Sequence, residues 1–263
     1  FFGTKNMTIN ITDKLQGNQK IHGQRFINSS INSNFIIENL TNNLENLKSN
    51  GDKYKQVIIE SLKINKNLCF EVSNQEIQYC SNLDNVEKIF NYLAFRYKFK
   101  LASQNKEELE VPPYLLIEPV SACNLRCPMC FQIDKSFTRK PFMGIMDWEF
   151  YKKIVLEANE IGVGAITLAS RGEPSMHPKY GEMIEFACKQ ENVFEVKTNT
   201  NATFLNESIC HKVFEHGVTT FVISADHYEK EAYETLRKGA NFEKIIKNVE
   251  MLYNIREKYY REK

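Results

Sequence analysis

The chain has 263 residues, with 34 lysines and arginines against 33 aspartates and glutamates and a formal net charge of +1. That balance offers no basic field for nucleic acid or an anionic membrane, no apolar run reaches the roughly 18 residues that span a bilayer, and the opening FFGTKNMTIN lacks the basic-then-apolar layout of a signal peptide. Seven scattered cysteines do not make a disulfide scaffold in a chain of this length, so a reducing, cytoplasmic setting is expected, with neither nucleic acid nor membrane as partner.

Residues 1–50 carry 11 asparagines, and INSSINSNF and LTNNLENLKSN hold few apolar clusters, so this segment reads as poorly packed or mobile. Residues 51–110 read as a small α+β domain. Partial alternation in YKQVIIESLKI, LCFEV and EIQYC suggests short strands across 54–80. The 3–4 spacing of Leu83, Val86, Phe90, Leu93 and Tyr97 predicts a helix over 83–101. NKEELE and Val111-Pro112-Pro113 form a linker, because proline there bars a helix.

From 111 to 263 the rhythm becomes strand then helix. Tyr114–Val120 is a short apolar strand followed by a cysteine-bearing loop. Asp147 is an N-cap for a helix with Trp148, Tyr151, Ile154, Val155, Ala158 and Ile161 on one face, closed by Gly162. Gly164–Ala169 is a second strand, and Pro178 opens a helix turning Tyr180, Met183, Ile184 and Ala187 inward. Val193–Thr198 is a third strand, Asn206 caps a helix closed by Gly217, and Val218–Ser224 is a fourth strand. Helices over 229–237 and 242–258 follow, with Gly239 between them. Four strand–helix units in series imply an α/β fold with a parallel sheet and right-handed crossovers. Chemistry in such sheets gathers just beyond the C-terminal strand ends. The chain opens without Met and ends inside the amphipathic run KIIKNVEMLYNIREKYYREK, which reads as a fragment.

The loop after the first strand, CNLRCPMC, sets Cys123, Cys127 and Cys130 in the spacing C-x3-C-x2-C. An iron–sulfur cubane is usually held by four thiolates, one per iron. Three thiolates on one loop leave one iron open to a cofactor or substrate. The competing readings are a zinc knuckle short of a fourth ligand and chance. Cys69, Cys80, Cys188 and Cys210 have no tight partner spacing and read as buried small apolar residues.

Four further segments stand with this loop: Arg171-Gly172-Glu173-Pro174 after strand two, Thr200-Asn201-Ala202-Thr203 after strand three, Ile223 to Asp226 (ISAD) after strand four, and YETLRKGANFEKIIKNV beyond it. In that order they resemble the radical S-adenosylmethionine (radical SAM) superfamily, and in particular the subgroup whose members often carry a C-terminal auxiliary-cluster (SPASM) domain. The resemblance covers roughly residues 113–258. It implies a partial parallel (β/α) barrel, incomplete at the C-terminus because the family has more strand–helix units than the four counted here. It implies a [4Fe–4S] cluster on Cys123, Cys127 and Cys130, with S-adenosylmethionine chelating the open iron. One-electron reduction would then release a 5′-deoxyadenosyl radical that abstracts hydrogen from substrate, the cofactor supplying the hard step.

The same resemblance implies a cofactor site. Glu173 suits the cofactor's ammonium, Gly172 admits its methionine moiety because it lacks a Cβ, and Pro174 fixes the turn. Ser224 and Asp226 stand where a ribose or the polar end is met, and Arg237 suits a carboxylate. Asn201 serves as a contact or a left-handed turn residue, and Met129 covers adenine where the family often has an aromatic. A helix cap for Ser224 and Asp226, a surface role for Arg237 and a turn role for His177 are the plain alternatives. Arg171 and Ala202 depart from the family's glycines. A one-electron donor such as flavodoxin or ferredoxin is the implied partner, and a peptide or small metabolite the implied substrate. The catalytic residues and the role of residues 1–110, substrate recognition or packing, are not readable. The rival function is a non-catalytic iron–sulfur electron carrier or binding module with a distant fourth ligand such as Cys188 or Cys210; a scaffold that has lost its chemistry is disfavoured by the intact cysteines and Glu173.

Overall fold

The computed structural model describes residues 33–104, 108–136 and 138–261. Most of the Asn-rich opening and the NKE of the linker lie outside them. Four helices come first: α1 (Ser33–Asn42), α2 (Lys53–Asn65), α3 (Asn74–Ser81) and α4 (Val86–Gln104). Asp52 caps α2 by accepting from the Tyr54 and Lys55 N–H groups, and Ser73 and Glu76 close a reciprocal capping box on α3. The strands expected over 54–80 are absent, since no strand occurs among the described residues before 114. Between residues 51 and 104 the regular elements are helices, so this region is helical and not α+β. The β-branched Val57-Ile58-Ile59 run suggested a strand, but Ile58 and Leu62 are buried at helical spacing and the cap starts the helix. LCFEV is irregular, with Leu68, Phe70 and Val72 half-buried at the core margin.

The later part of the Asn-rich segment is packed. Ile36, Leu40 and Leu47 join Ile58, Leu62, Phe90 and Leu93 in one apolar core. Ile36 and Leu40 on the inward face of a short helix, with Leu47 just after the 3₁₀ turn that follows it, suffice, and the asparagines point outward. Cys69 is exposed, contrary to the expectation of a buried residue. Cys80 and Cys210 are buried and Cys188 is half-buried, and burial pushes each of these three thiols up to about 12.

Beyond the linker, β1 (Tyr114–Ile117), β2 (Ala165–Leu168), β3 (Glu195–Thr200) and β4 (Thr220–Ile223) pair in chain order, all parallel. Ile117 stands beside Leu168, Leu168 beside Thr198 and Thr200 beside Ile223, so the C-terminal ends form one edge. Helices α5 (Trp148–Ile161), α6 (Tyr180–Cys188) and α7 (Glu207–Glu215) alternate with the strands, and α8 (Lys230–Leu236) and α9 (Phe242–Tyr259) follow β4. Asp147 and Asn206 cap α5 and α7, and Gly162 ends α5 at φ +82. Ile117, Ile166, Leu168 and Val196 pack against Tyr151, Val155, Met183, Ile184 and Val213. Ile161, expected inward, is exposed at the last turn of α5.

The N-terminal helices dock at the opposite, N-terminal edge of the sheet. Phe95 fills the space at Gly164, where a Cβ would lie 2.1 Å from its ring, and stacks on Phe194. The Tyr79 hydroxyl donates to the Phe194 carbonyl at 3.3 Å. Arg96 bridges Glu76 (2.6 Å) and Glu195 (3.0 Å).

Candidate functional site

The cysteine loop leaves β1 and is braced from two sides. The Ser121 N–H donates to the Gly144 carbonyl, the Gly144 N–H donates to the Ser121 hydroxyl, and Val120 bridges Ile145. From the other side, the Arg126 N–H donates to the Lys238 carbonyl at 2.8 Å, and Gly239 at φ +95 lies against Asn124 and Leu125. Gln132, buried in the short 3₁₀ turn after Cys130, donates from Nε2 to the Ser121 carbonyl (2.8 Å) and to the Arg171 carbonyl. One side-chain amide thus ties the cysteine loop to two backbone stretches.

The loop after β2 stacks directly on this one. A Cβ on Gly172 would lie 1.8 Å from the Val120 carbonyl oxygen, so no larger residue fits. The Glu173 N–H donates to the Ala122 carbonyl at 2.9 Å. The Arg171 N–H and guanidinium both engage Glu118, at 2.9 Å from the N–H and 2.7 Å from Nη2. Burial raises the Glu118 carboxyl, but the Arg171 fork outweighs it and holds the group below the ordinary carboxylate value. Ser170 takes φ +110, an uncommon conformation for a residue with a side chain, next to the site.

Glu173 is 3 % exposed. Its Oε1 accepts from the Ser175 N–H (3.1 Å), the Ser175 hydroxyl and the Thr200 hydroxyl (2.5 Å), and Oε2 accepts from the Asn201 N–H (2.7 Å). One lone pair of Oε2 is left for a further donor. Pro174 sits in the first turn of the following 3₁₀ helix and is buried away from the cavity. His177 has the expected turn role: its Nδ1 accepts from the Lys179 N–H, and its Nε2 faces the Met146 carbonyl.

The left-handed residue of the turn after β3 is Ala202 (φ +64), where the family's glycine stands, rather than Asn201. Asn201 closes an Asx turn onto Thr203 and donates to Asn124 Oδ1 at 2.9 Å and toward the Cys123 sulfur at 3.9 Å. Asn248 of α9 holds the Ala202 carbonyl at 2.8 Å. Arg237 donates to the Cys127 sulfur at 3.8 Å and pairs with Asp226. Burial alone would lower the Arg237 value; Asp226 and Cys127 outweigh it, and the net is upward. Burial pushes the Cys123 thiol up against the Leu125 N–H, and Glu173 adds to the rise.

Cys123, Cys127 and Cys130 line a single cavity of about 240 Å³ with Met129, Gly172, Glu173, Asn201, Ser224 and Arg237. Met129 is 56 % exposed at its mouth. Asp226 and Pro174 do not line it; Asp226 reaches it through Arg237. Sequence reasoning missed Asn199, whose Oδ1 is buried there without a partner. Its position on β3, with period-2 neighbours Lys197 and Asn201 on the same face, was the available signal. Among the described residues no three His, Cys, Asp or Glu groups converge on a single metal ion. A cubane does not ask that of them, because each thiolate takes its own iron. Cys188 and Cys210 pack with the helix layer and line no part of this cavity.

The profile of the Radical SAM superfamily matches residues 117–257, more than half of the chain. The chain belongs to the radical SAM superfamily. Members bind a [4Fe–4S] cluster and S-adenosylmethionine. Similar radical SAM relatives include a GTP 3′,8-cyclase of Clostridium botulinum, 26% identical over 142 residues, covering 54% of this chain and 44% of that one. A tungsten-containing aldehyde ferredoxin oxidoreductase cofactor-modifying protein of Pyrococcus furiosus is 32% identical over 114 residues, 43% of this chain and 30% of that protein. The chain therefore spans less than half the length of these relatives. The crystal structure of Streptococcus suis SuiB bound to S-adenosylmethionine superposes with a TM-score of 0.50 at 20% identity, over 85% of this chain and 47% of SuiB. That likeness is one of fold: the four strand–helix units here correspond to part of a radical SAM partial barrel. No helix among the described residues is long and apolar enough to cross a membrane.

Proposed function

We propose that this chain is the cluster-binding part of a radical SAM enzyme. Cys123, Cys127 and Cys130 hold a [4Fe–4S] cluster with one iron left to S-adenosylmethionine. The observation that carries the reading is the gathering of the three thiols into one cavity with Gly172, Glu173, Asn201, Ser224 and Arg237. The residues fit the cofactor: the unpartnered Asn199 Oδ1 and the spare lone pair of Glu173 both await a donor such as an ammonium, while Gly172, whose missing Cβ is taken up by the Val120 carbonyl, lets the two loops stack rather than opening room for the methionine moiety. When bound, cluster and cofactor supply, on one-electron reduction, a 5′-deoxyadenosyl radical that abstracts hydrogen from substrate. The chain's part is to seat the ligands, present acceptors to the cofactor's ammonium and keep the adenine end covered by Met129.

Flavodoxin or ferredoxin in a reducing, cytoplasmic compartment is the electron donor under this proposal. The substrate is a peptide or a small metabolite, and the motif order is compatible with the subgroup whose members often carry a SPASM domain. The carrier reading needs a fourth protein ligand at the cavity, and neither Cys188 nor Cys210 lines it. The test is anaerobic reconstitution followed by electron paramagnetic resonance of the reduced cluster with and without S-adenosylmethionine. A signal changed by the cofactor, with 5′-deoxyadenosine released, is expected. An unchanged signal favours a carrier.

A further inference from the structure

Arg237 meets a sulfur and not an empty anion site. Its Nη1 donates to Cys127 Sγ at 3.8 Å while Nε pairs with Asp226. Backbone holds the residue on both sides: the Arg237 N–H donates to the Tyr233 carbonyl at 2.7 Å, and the Ala240 N–H donates to the Arg237 carbonyl at 2.8 Å. The turn after it is clamped to the cysteine loop through the Arg126 N–H and the Lys238 carbonyl. The Arg237 side chain is 19% exposed and that of Asp226 37%, so the cation faces the thiol and its counter-ion faces water.

We propose that Arg237 sets the reduction potential of the cluster. It acts through the Cys127 sulfur as a positioning residue, and Asp226 opposes it. This rests on the radical SAM reading and adds a regulator of the electron-uptake step. In that step an oxidised cluster of charge 2+ takes one electron from a one-electron donor and becomes 1+, and no bond is made or broken. A fixed cation donating an N–H to a cluster thiolate stabilises the more negative, reduced state, and hydrogen bonds to the sulfurs and local charge are the known levers on such potentials. The guanidinium keeps its charge at every working pH. Asp226, a negative charge beside the same site, pulls the other way.

The test is a redox titration of the reconstituted chain without S-adenosylmethionine, read by paramagnetic resonance, with iron content measured alongside. At the applied potential that half-reduces the wild-type cluster, Arg237→Met is expected to lower the reduced-to-oxidised ratio about tenfold, about 59 mV for a one-electron couple. Arg237→Lys, which keeps the charge and loses the fork, is expected to fall less, and Asp226→Asn to raise the ratio. Ratios within twofold of wild type in Arg237→Met and Asp226→Asn overturn the proposal, as does a shift of both in the same direction. If Arg237→Met loses its iron, Asp226→Asn decides alone: a rise supports the proposal and no rise overturns it. A change confined to cofactor affinity, with the titration unmoved, assigns Arg237 to the cofactor carboxylate and also overturns it. Failure of the radical SAM reading is seen separately, in a wild-type protein that takes up no cluster or whose signal ignores S-adenosylmethionine, and it removes this proposal too.

Discussion

Because Oε1 of Glu173 already accepts from Ser175 and Thr200, and Oε2 from the Asn201 N–H, removing this carboxylate acts in two ways at once. Glu173→Ala strands buried donors, which costs about 1–3 kcal/mol for each one left unmade. It also deletes an acceptor facing the cavity. Glu173→Gln keeps the volume and the Oε1 acceptor but turns an NH2 toward the Asn201 N–H, so it still leaves one buried donor unmet: iron content near wild type with cofactor affinity lowered about tenfold is expected, and joint loss of iron would make Glu173 structural. Cys127→Ala is expected to abolish cluster content and 5′-deoxyadenosine release together, and turnover retained by that variant would refute the assignment. Spacing alone marked the three cysteines, and the motif order marked Gly172 and Glu173. The Glu118–Arg171 fork and the Gln132 latch were invisible in the sequence because their partners lie 53 and 39 residues away. A pairing at that distance is set by strand order and register, not by local pattern.

At the scale of elements, α1 offers a direct check on the packing of the Asn-rich segment. Leu40 is fully buried in the N-terminal core, so Leu40→Ala is expected to lower stability by about 2–5 kcal/mol in denaturant titration; a negligible change would return the segment to the mobile reading. The docking of α3 and α4 on the sheet has a pH signature. Burial raises the Glu76 carboxyl, but its bonds from Ser73 and Arg96 outweigh burial and hold it below its ordinary 4.5. Its stabilisation is therefore complete above that value and lost as pH falls through the depressed one. Burial raises Glu195 above 4.5 despite Arg96, so its contribution is present below 4.5 and lost as pH rises through the raised value. Melting temperatures from about pH 3 to about pH 8 are expected to lose acid sensitivity in Glu76→Gln and to rise at neutral pH in Glu195→Gln. Where caps carry the message, as at Asp147, Gly162 and Asn206, helices were legible from sequence. Residues 54–80 were misread because Ile58 and Leu62 fit either period over so short a stretch, and only their partners in α1 and α4 decide between them.

Across the whole molecule, sheet base and sheet mouth are built from different stretches. The helical region covers the N-terminal edge through Phe95 and Arg96, and the cavity opens at the other end. Residues 79–96 of this region meet the sheet at the edge away from the cavity. At about 240 Å³ the cavity is smaller than the roughly 300–1,000 Å³ of usual ligand sites, as suits a chain carrying four strand–helix units. S-adenosylmethionine at about 100 times its dissociation constant is expected to raise the melting temperature of cluster-loaded protein by about 5–10 °C. The metal-free protein is expected to show almost none of that rise, which scanning calorimetry reads directly.

The clamp between Arg126 and Lys238 also bears on how the protein is made. The ribosome delivers the cysteine loop early, yet the turn that seats it emerges 110 residues after Cys127. Nascent chains halted before Arg237 are expected to capture iron poorly, as metal analysis of stalled translation products will reveal. Cofactor insertion then has to wait for the turn that carries Lys238, and a stop before it yields a polypeptide bearing all three cysteines without the clamp on their loop.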